Sequence, residues 1–363
     1  MFTKEITVNN PYSYNTALFL TQNNGKSWKR LELPEVNQEI GGGDPSIVWG
    51  ENGVIYFSSI VFVKEANNKK RLKVFVYTSK DKGETWSKNT DIFGNKKGLD
   101  HPVIRYNPKN TSPVTMFASG GNGIASTQVV SLNEKLLRKN SFTHGFGNEM
   151  NNNLGSGVLL DNNKVVFIQT KNMSELRSVS TSDFGKTFKE TTITKKCIPY
   201  GFPMLSFDNS GKSKHNRLYA VWSERGDVGT QIFMSYSDDT ALTWSDKQQI
   251  SSNSESINLM PQIDVNNNGD ILIAWMSSKS DQELTCYNVN YALSNNNGIS
   301  FDQNSLTKEK YCASTKQNGA VVQKWKLGGD YFGIDSDSSG DFHIAWSDSR
   351  SKVYQIWYSK ISK

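Results

Sequence analysis

The amino-acid sequence predicts an all-β protein built from repeated units of four short strands. Three observations support this prediction. One eight-residue motif occurs five times, its copies start at residues 21, 79, 181, 237 and 294, and the successive intervals are therefore 58, 102, 56 and 57 residues. The segments between the copies are rich in β-branched and aromatic residues bounded by Gly, Asn and Asp, which is typical of strands. A period in the fifties fits four short strands with their turns.

The motif reads Ser/Thr-x-Asp/Asn-x-Gly-x-Thr/Ser-Trp/Phe, and the clearest copy is SKDKGETW at 79–86. Its Asp or Asn can accept hydrogen bonds from backbone N–H groups of the same turn. Its Gly supplies a positive φ, replaced once by Ala241, and its aromatic residue anchors the turn in a core. The segment 131–133 resembles the start of a sixth, decayed copy. We therefore predict structural rather than catalytic roles for the motif residues Asn23, Asp81, Asp183, Asp239 and Asn296.

Each motif follows a predicted strand, and all but the first motif have two further strands before that one. The strands next to the motifs are expected at 17–20, 74–77, 128–130, 177–179, 232–234 and 289–291. The first strands of the units are expected at 46–49, 103–106, 157–160, 204–207, 262–265 and 331–334. The second strands are expected at 54–57, 114–117, 165–168, 218–222, 271–275 and 343–346.

The two ends of the chain decide how the repeat closes. A last strand is expected at 355–358, and the early strand at 5–8 is expected to complete the final unit. The hairpin at 17–33 is then surplus, which leaves a seventh, partial unit as an alternative. No linker or low-complexity segment divides the chain, so residues 1–363 are predicted to form a single domain.

Composition limits the classes of partner. The net charge is +6, and the positive residues are scattered, which mildly favours anionic ligands such as acidic sugars and gives no indication of nucleic-acid binding. No stretch is long enough to cross a membrane, and the first ten residues lack the apolar core of a signal peptide. The chain is accordingly expected to have no signal peptide and no membrane insertion.

The cysteines and the polar turns give no metal signature. The three cysteines form no CxxC pair; Cys286 and Cys312 lie in neighbouring strand regions and either pair, leaving Cys197 free, or remain thiols. The segments 264–269 and 335–340 resemble the start of an EF-hand loop, but Trp stands where the loop needs its last Glu, so hairpin turns are expected. The four histidines lack metal-ligand spacing, and we predict no metal and no cofactor.

The motif resembles the Asp box, or BNR repeat, of the sialidase superfamily, and the resemblance covers nearly the whole chain. It implies a β-propeller in which each box joins the third and fourth strands of a blade. With six first strands, the expected architecture is a six-bladed propeller of four-stranded blades, with seven blades as the alternative. The resemblance also implies a secreted or cell-surface location.

A propeller has two faces, and the loops sort between them. The turn between the first and second strands lies on the same side as the box, so the loops between second and third strands and the crossings between blades lie on the other side, the crossing face. The resemblance implies a functional site there, at the central channel. Candidates on these loops are Asp44, Asp100, Glu224, Arg225, Asp330, Tyr331 and Arg350. In the structural interpretation, the Asp residues beside the crossing prolines cap neighbouring blades by accepting backbone N–H bonds.

Sialidases carry three arginines that bind the substrate carboxylate, a Tyr–Glu nucleophile pair and an Asp acid/base. The Arg-Ile-Pro motif of the first arginine is absent here, and Arg105 stands instead in Val-Ile-Arg-Tyr. Arg225 and Arg350 can offer two guanidinium forks that suit a carboxylate. For catalysis the resemblance leaves Tyr331 and Glu224 as nucleophile and base, with Asp100 as a further candidate.

The sequence therefore favours a glycan-binding module that uses the crossing face, because the first arginine motif is missing and arginines are sparse. A sialidase-like exo-glycosidase acting on acidic sugars is the first alternative. It requires two carboxyl groups roughly 5–10 Å apart, or the Tyr–Glu variant. A protein-interaction scaffold without a sugar site is the second alternative.

Overall fold

The computed structural model describes residues 4–6, 14–34, 39–64, 70–89, 92–94, 96, 98–120, 126–145, 153–172, 174–198, 202–212, 214–226, 229–252, 256–278, 286–308, 311–312, 332–348 and 355–362. Regular structure in these ranges is β-strand, apart from the single 3-10 turns Glu51–Gly53 and Asp161–Asn163. None of the helical turns described is long and apolar enough to span a bilayer. The chain groups into two compact units, Met1–Asn172 with Ser180–Lys189 and Met173–Val179 with Glu190–Lys363.

The first sheet contains seven strands. They are β1 (Lys4–Ile6), β2 (Tyr14–Leu20), β3 (Lys29–Glu32), β4 (Glu39–Trp49), β5 (Ile55–Lys64), β6 (Lys70–Ser79) and β7 (Ser87–Asn89). Strands β4 to β7 pair antiparallel in chain order, β3 pairs with β2, and β2 meets β4 through one parallel pair. The expectation that the strand at 5–8 completes the last unit is wrong, because β1 pairs with β2. A strand only seven residues upstream of β2 closes a much shorter loop by pairing locally.

Two four-stranded sheets follow. One contains β8 (Leu99–Tyr106), β9 (Val114–Gly120), β10 (Thr127–Leu132) and β11 (Arg138–His144). The other contains β12 (Asn153–Leu159), β13 (Val165–Lys171), β14 (Glu175–Thr181) and β15 (Lys189–Thr194). In both sheets the strands are neighbours in chain order.

The next sheet consists of two groups of antiparallel strands. The first group is β16 (Met204–Phe207), β17 (Leu218–Arg225), β18 (Thr230–Ser237) and β19 (Gln248–Gln249). The second is β20 (Ile257–Val265), β21 (Ile271–Ser278), β22 (Cys286–Ser294) and β23 (Asp302–Ser305), with β24 (Tyr311–Cys312) beside β22. A single parallel pair, Thr230 with Ile257, connects the groups. The last sheet has three strands, β25 (Phe332–Ser336), β26 (Phe342–Asp348) and β27 (Gln355–Ile361).

Every segment predicted as a first, second or motif-bordering strand overlaps a strand of the structure, except that Tyr331 lies outside the described residues. The count of six four-stranded blades is not supported. The described part of the last sheet has three strands, and the β2–β3 hairpin pairs with the β4 group. The single-domain interpretation of residues 1–363 stays a prediction.

The core lies between stacked sheets. Residues of β5, β9, β13, β17 and β21 are buried in long unbroken runs, as expected for strands covered on both faces. In the first unit, Val76 of β6 packs in one cluster with Ile104 of β8 and Met116 of β9. In the second unit, Leu272 and Ala274 of β21 pack with Ile344 of β26. Apolar faces of consecutive sheets thus bury each other.

The five repeated turns, defined by the motif copies, share one set of hydrogen bonds. In the copy at 79–86 the Ser79 hydroxyl accepts the Gly83 N–H at 2.8 Å, and Asp81 Oδ1 accepts the Thr85 N–H at 2.9 Å. The hydrogen bonds from Thr85 and then Ser79 hold the pKa of Asp81 at about 2. The decayed copy keeps part of this pattern, because Asn133 Oδ1 accepts the Leu137 N–H at 2.9 Å.

The turns between first and second strands form a second repeated feature. Asn266 Oδ1 accepts the N–H groups of Asn268 and Asp270, and Asp337 Oδ1 accepts those of Ser339 and Asp341. Both EF-hand-like segments therefore form hairpin turns. The turns also dock on one another, since Asn266 Nδ2 donates to the Gly340 carbonyl at 2.7 Å. We call this arrangement the docked turns.

Candidate functional site

Four crossings share an unusual backbone feature. The residue before the crossing proline has a positive φ in each case: Asp44 (50°), His101 (52°), Phe202 (42°) and Met260 (56°). The strand register shifts at this point in β4, β8 and β20, as at a β-bulge. Left-handed non-glycine residues are costly and persist only where their surroundings fix them, often at functional sites. The crossings thus present side chains from a constrained backbone.

Asp44 and Asp100 converge on one donor. The backbone N–H of His101 points at Asp100 Oδ1, 3.0 Å away, and at Asp44 Oδ2, 3.3 Å away. The two carboxylate oxygens can therefore be no farther apart than the sum of these distances. Asp100 is exposed, and Asp44 and His101 are half-buried. Strands β4 and β8, which belong to consecutive sheets, thus bring a pair of acidic side chains together at solvent.

Neighbouring contacts hold this pair in place. The Ser46 hydroxyl of β4 accepts the Ile104 N–H of β8 at 3.1 Å, which fixes the two strands relative to each other. Ser119 Oγ of β9 donates to the Asp100 carbonyl at 3.1 Å. Gly120, with a φ of 84°, ends β9 so close to β8 that an added Cβ would overlap the Gly98 carbonyl oxygen. The acidic pair therefore stands on a tightly packed support.

Arg105 belongs to the same unit but is largely engaged. Its Nη1 donates to the Ile104 carbonyl at 3.0 Å, and its Nη2 donates to the hydroxyl of fully buried Ser156 in β12 at 3.2 Å. The half-buried guanidinium thus connects two first strands. Its role as a ligand-binding arginine stays a prediction.

Glu224 lies in a buried polar cluster in the second unit. Its side chain accepts hydrogen bonds from Thr194 Oγ1 at 3.2 Å and Trp222 Nε1 at 3.1 Å, and it forms an ion pair with Lys247. The residue is 2% exposed. These three partners account for the buried carboxylate without a ligand. Burial, reinforced by the Glu224 charge, raises the pKa of the adjacent Cys197 thiol to about 12, so this cysteine is protonated and unreactive.

Arg225 ends β17 and is exposed. Its neighbour Glu224 pairs with Lys247, and no ion pair of Arg225 occurs within the described ranges. Asp330, Tyr331 and Arg350 lie outside the described residues. Of the candidates, the structure therefore brings together Asp44 and Asp100.

Sequence reasoning did not single out His101. Its backbone N–H is the group on which the acidic pair converges. The available signal was positional, because His101 precedes a crossing proline as Asp44 does.

No known family profile and no curated protein matches the sequence. Solved structures do resemble it. A Hadza microbial sialidase aligns with a TM-score of 0.54 and 12% identity over 90% of this chain and 66% of its own. The sialidase of Trypanosoma rangeli, solved with the inhibitor DANA, aligns with a TM-score of 0.50 and 9% identity over 95% of this chain and 57% of its own. The chain thus spans about two thirds or less of these two neighbours, and it shares with them an all-β fold of the β-propeller type.

Proposed function

We propose that the protein binds glycans through a site on the crossing face, centred on Asp44, Asp100 and the backbone of His101. The observation that carries this proposal is the convergence of the two carboxylates on the His101 N–H. Ionised carboxylates are acceptors only, and they form strong hydrogen bonds with hydroxyl donors. Two carboxylates held side by side on a constrained backbone can therefore accept hydrogen bonds from the hydroxyl groups of one sugar. The sialidase fold of the solved neighbours supports a sugar-related role.

The pair favours a glycan whose contacting ring is neutral. Two negative charges within a few ångströms disfavour a third at the same place, since like charges repel strongly where solvent is partly excluded. An acidic sugar would require cationic groups beside the pair. Arg105, the candidate arginine in the same unit, is engaged with Ser156 and the Ile104 carbonyl. A secreted or cell-surface location completes the proposed setting.

Hydrolysis is the second candidate, and the same acidic pair favours it. Glycosidases place two carboxyl groups about 5–10 Å apart on either side of the scissile bond. Asp44 and Asp100 are close enough for this arrangement. Binding remains the preferred function because both carboxylates converge on one backbone N–H, whereas a glycosidase holds its two carboxyl groups on either side of the scissile bond.

The test uses wild type, Asp44→Asn and Asp100→Asn on a glycan array, with sugar release measured on every glycan that binds. We expect wild type to bind neutral glycans without release and each variant to lose at least tenfold in affinity. Asp302→Asn, which neutralises an exposed carboxylate outside the acidic pair, is the control. Sugar release by wild type that disappears in either variant would establish a hydrolase. Glycan binding that is unchanged in both variants would rule out the acidic pair as the binding site.

A further inference from the structure

The sheet formed by β20 to β23 carries a cavity that the proposed function does not use. The cavity has a volume of about 370 Å³, and its twelve described lining residues include no charged side chain. Serine, asparagine and glutamine make up all of the lining except for one tryptophan, Trp275. Small-molecule sites usually have volumes of about 300–1,000 Å³. This cavity is therefore large enough for a single sugar ring.

Strand register explains how the lining arises. Asn258 of β20, Ser277 of β21 and Asn288 of β22 are directly opposite one another and form one row across the sheet. Trp275, Asn290 and Ser305 form a second row beside it. Directly opposed residues share a face of an antiparallel sheet. The two rows thus place five amide and hydroxyl side chains and an indole on one face.

In the β16–β19 group, side chains fill the space that corresponds to this cavity. Leu218 and Ile271 pair with the first residues of the two repeated turns, and counted along the strand from these two residues Trp222 corresponds to Trp275 and Glu224 to Ser277. Phe233 stands opposite Trp222, where Asn290 stands opposite Trp275. In the filled group the Glu224 carboxylate pairs with Lys247, whose ammonium lies 4.5 Å from the Phe233 ring centroid. Smaller neutral side chains in the β20–β23 sheet leave the corresponding space open.

The lining is ordered by its own hydrogen bonds. Asn258 Nδ2 donates to the Thr230 carbonyl at 2.8 Å, and its Oδ1 accepts from Trp275 Nε1 at 3.0 Å and from Ser277 Oγ. Asn290 Nδ2 donates to Ser277 Oγ at 2.8 Å. The site is thus held in one arrangement before any ligand arrives.

One acceptor in the lining is left over. Asn288 Oδ1 is buried and makes no hydrogen bond with the protein. A buried polar atom without a partner costs about 1–3 kcal/mol, so such an atom calls for a partner from solvent or from a ligand. Because Asn288 also lines the cavity, a rotation of its amide about χ2 would present this acceptor to a hydroxyl donor inside the cavity.

We propose that this cavity is a second binding site, specific for a neutral monosaccharide or a similar uncharged polyol. The uncharged side chains of the described lining disfavour anions and cations, which would lose their hydration there without gaining a counter-charge. The array of amides and hydroxyls offers both donors and acceptors, which matches the alternating capacity of sugar hydroxyl groups. This site is independent of the acidic pair of Asp44 and Asp100.

The test measures binding of glucose, galactose, mannose and N-acetylglucosamine by saturation-transfer NMR and calorimetry. Asn288→Ala removes the leftover acceptor Asn288 Oδ1, which makes no hydrogen bond with the protein, so we expect an unchanged melting temperature and at least a tenfold loss of affinity for the sugar that binds. Asn290→Phe copies the side chain of the filled group and should abolish binding by occupying the cavity.

Two controls separate this site from the others. Asn140→Ala changes a half-buried strand asparagine that does not line the cavity, and it should bind as wild type does. Asp44→Asn should likewise retain the monosaccharide, which distinguishes failure here from failure of the proposed function. No binding of any of the four sugars by wild type, or full binding by both Asn288→Ala and Asn290→Phe, would overturn the proposal.

Discussion

The repeated turns come in two chemical versions that differ in the direction of one hydrogen bond. Where the third position is Asp, the seventh is Thr, and the Thr hydroxyl donates to the carboxylate, as from Thr187 Oγ1 to Asp183 Oδ2 at 2.7 Å. Where the third position is Asn, the seventh is Ser, and the amide donates to the hydroxyl, as from Asn296 Nδ2 to Ser300 Oγ at 2.8 Å. Only the first version has an ionisable group at the third position. Acid should therefore weaken some turns and spare others.

The pH dependence of the Asp81 turn follows from the lowered pKa. An unfolded Asp has a pKa of about 3.9, and hydrogen bonds from Thr85 and Ser79 hold the folded value at about 2. The stabilisation is complete above the unfolded pKa and is lost as pH falls through the folded one. Asp81→Asn should thus be less stable than wild type at pH 6, and the difference should shrink at pH 2–3 in urea unfolding. Asn296→Ala should show a cost that does not change over this range; a constant difference for Asp81→Asn would contradict the argument.

Gly185 shows what the turn glycine is required for. Its φ is 81°, and an added Cβ would overlap the Phe142 ring, which packs on Phe188 with centroids 5.6 Å apart. Gly185→Ala should therefore cost more than the roughly 1–2 kcal/mol of a left-handed alanine. Gly211→Ala is the matched control, because Gly211 has a φ of 75° with nothing within 4 Å of the added Cβ. Equal losses of unfolding free energy in the two variants would show that overlap with the Phe142 ring adds nothing to the cost.

At the scale of elements, the docked turns tie consecutive sheets together. Asn266 is 1% exposed, and its Nδ2 donates to the Gly340 carbonyl and to Asp270 Oδ2. Asn266→Asp keeps the acceptor that organises the turn but removes the donor and places a second carboxylate beside Asp270. We expect a loss of about 2–3 kcal/mol in urea unfolding, since a buried carbonyl is left unsatisfied. Asn267→Asp, at an exposed position, should cost less than about 1 kcal/mol, and equal costs would show that the buried contact contributes little.

The strands β22 and β24 place Cys286 directly opposite Cys312. Opposed residues of an antiparallel pair have Cα atoms about 4.5–5.5 Å apart, within the range that a disulfide spans. We therefore predict that the two residues form a disulfide when the protein is prepared under oxidising conditions. Peptide mass spectrometry without reductant should recover them as one linked peptide. Complete alkylation of both thiols before reduction would refute the pairing.

At the scale of the whole molecule, the net charge of +6 allows anionic ligands, and Arg225 is the exposed arginine through which the sequence predicts such binding. If Arg225 binds a carboxylate bidentately, Arg225→Lys should reduce binding of acidic glycans at least tenfold at an unchanged melting temperature, since Lys lacks the planar fork. Lys247→Arg, a charge-conserving exchange at the cation paired with Glu224, is the control for the exchange itself. Binding that survives Arg225→Lys would exclude the clamp.

The strands were predictable from sequence because each is a local run of apolar residues bounded by turn formers. The grouping of the strands into sheets was not predictable, because the pairing of β1 and of the β2–β3 hairpin depends on contacts that no local pattern encodes. The candidate site was predictable only in part, again because local patterns are visible in the sequence and long-range contacts are not. Asp44 and Asp100 could be named because each lies at a crossing. The side-chain partners of Glu224 could not be named, because Thr194 and Lys247 lie 30 and 23 residues away from it in the chain.

The hydroxyl that opens each repeated turn also has a consequence for chemical ageing. Asn-Gly sequences degrade when the glycine nitrogen attacks the preceding side-chain amide and closes a five-membered imide. Asn24-Gly25 and Asn297-Gly298 are such sequences, but Gly25 N donates to Thr21 Oγ1 at 2.9 Å and Gly298 N donates to Ser294 Oγ at 3.0 Å. Each nitrogen is thus held away from the attack by the turn itself. Folded protein should keep these two asparagines intact through storage that deamidates them in the unfolded chain.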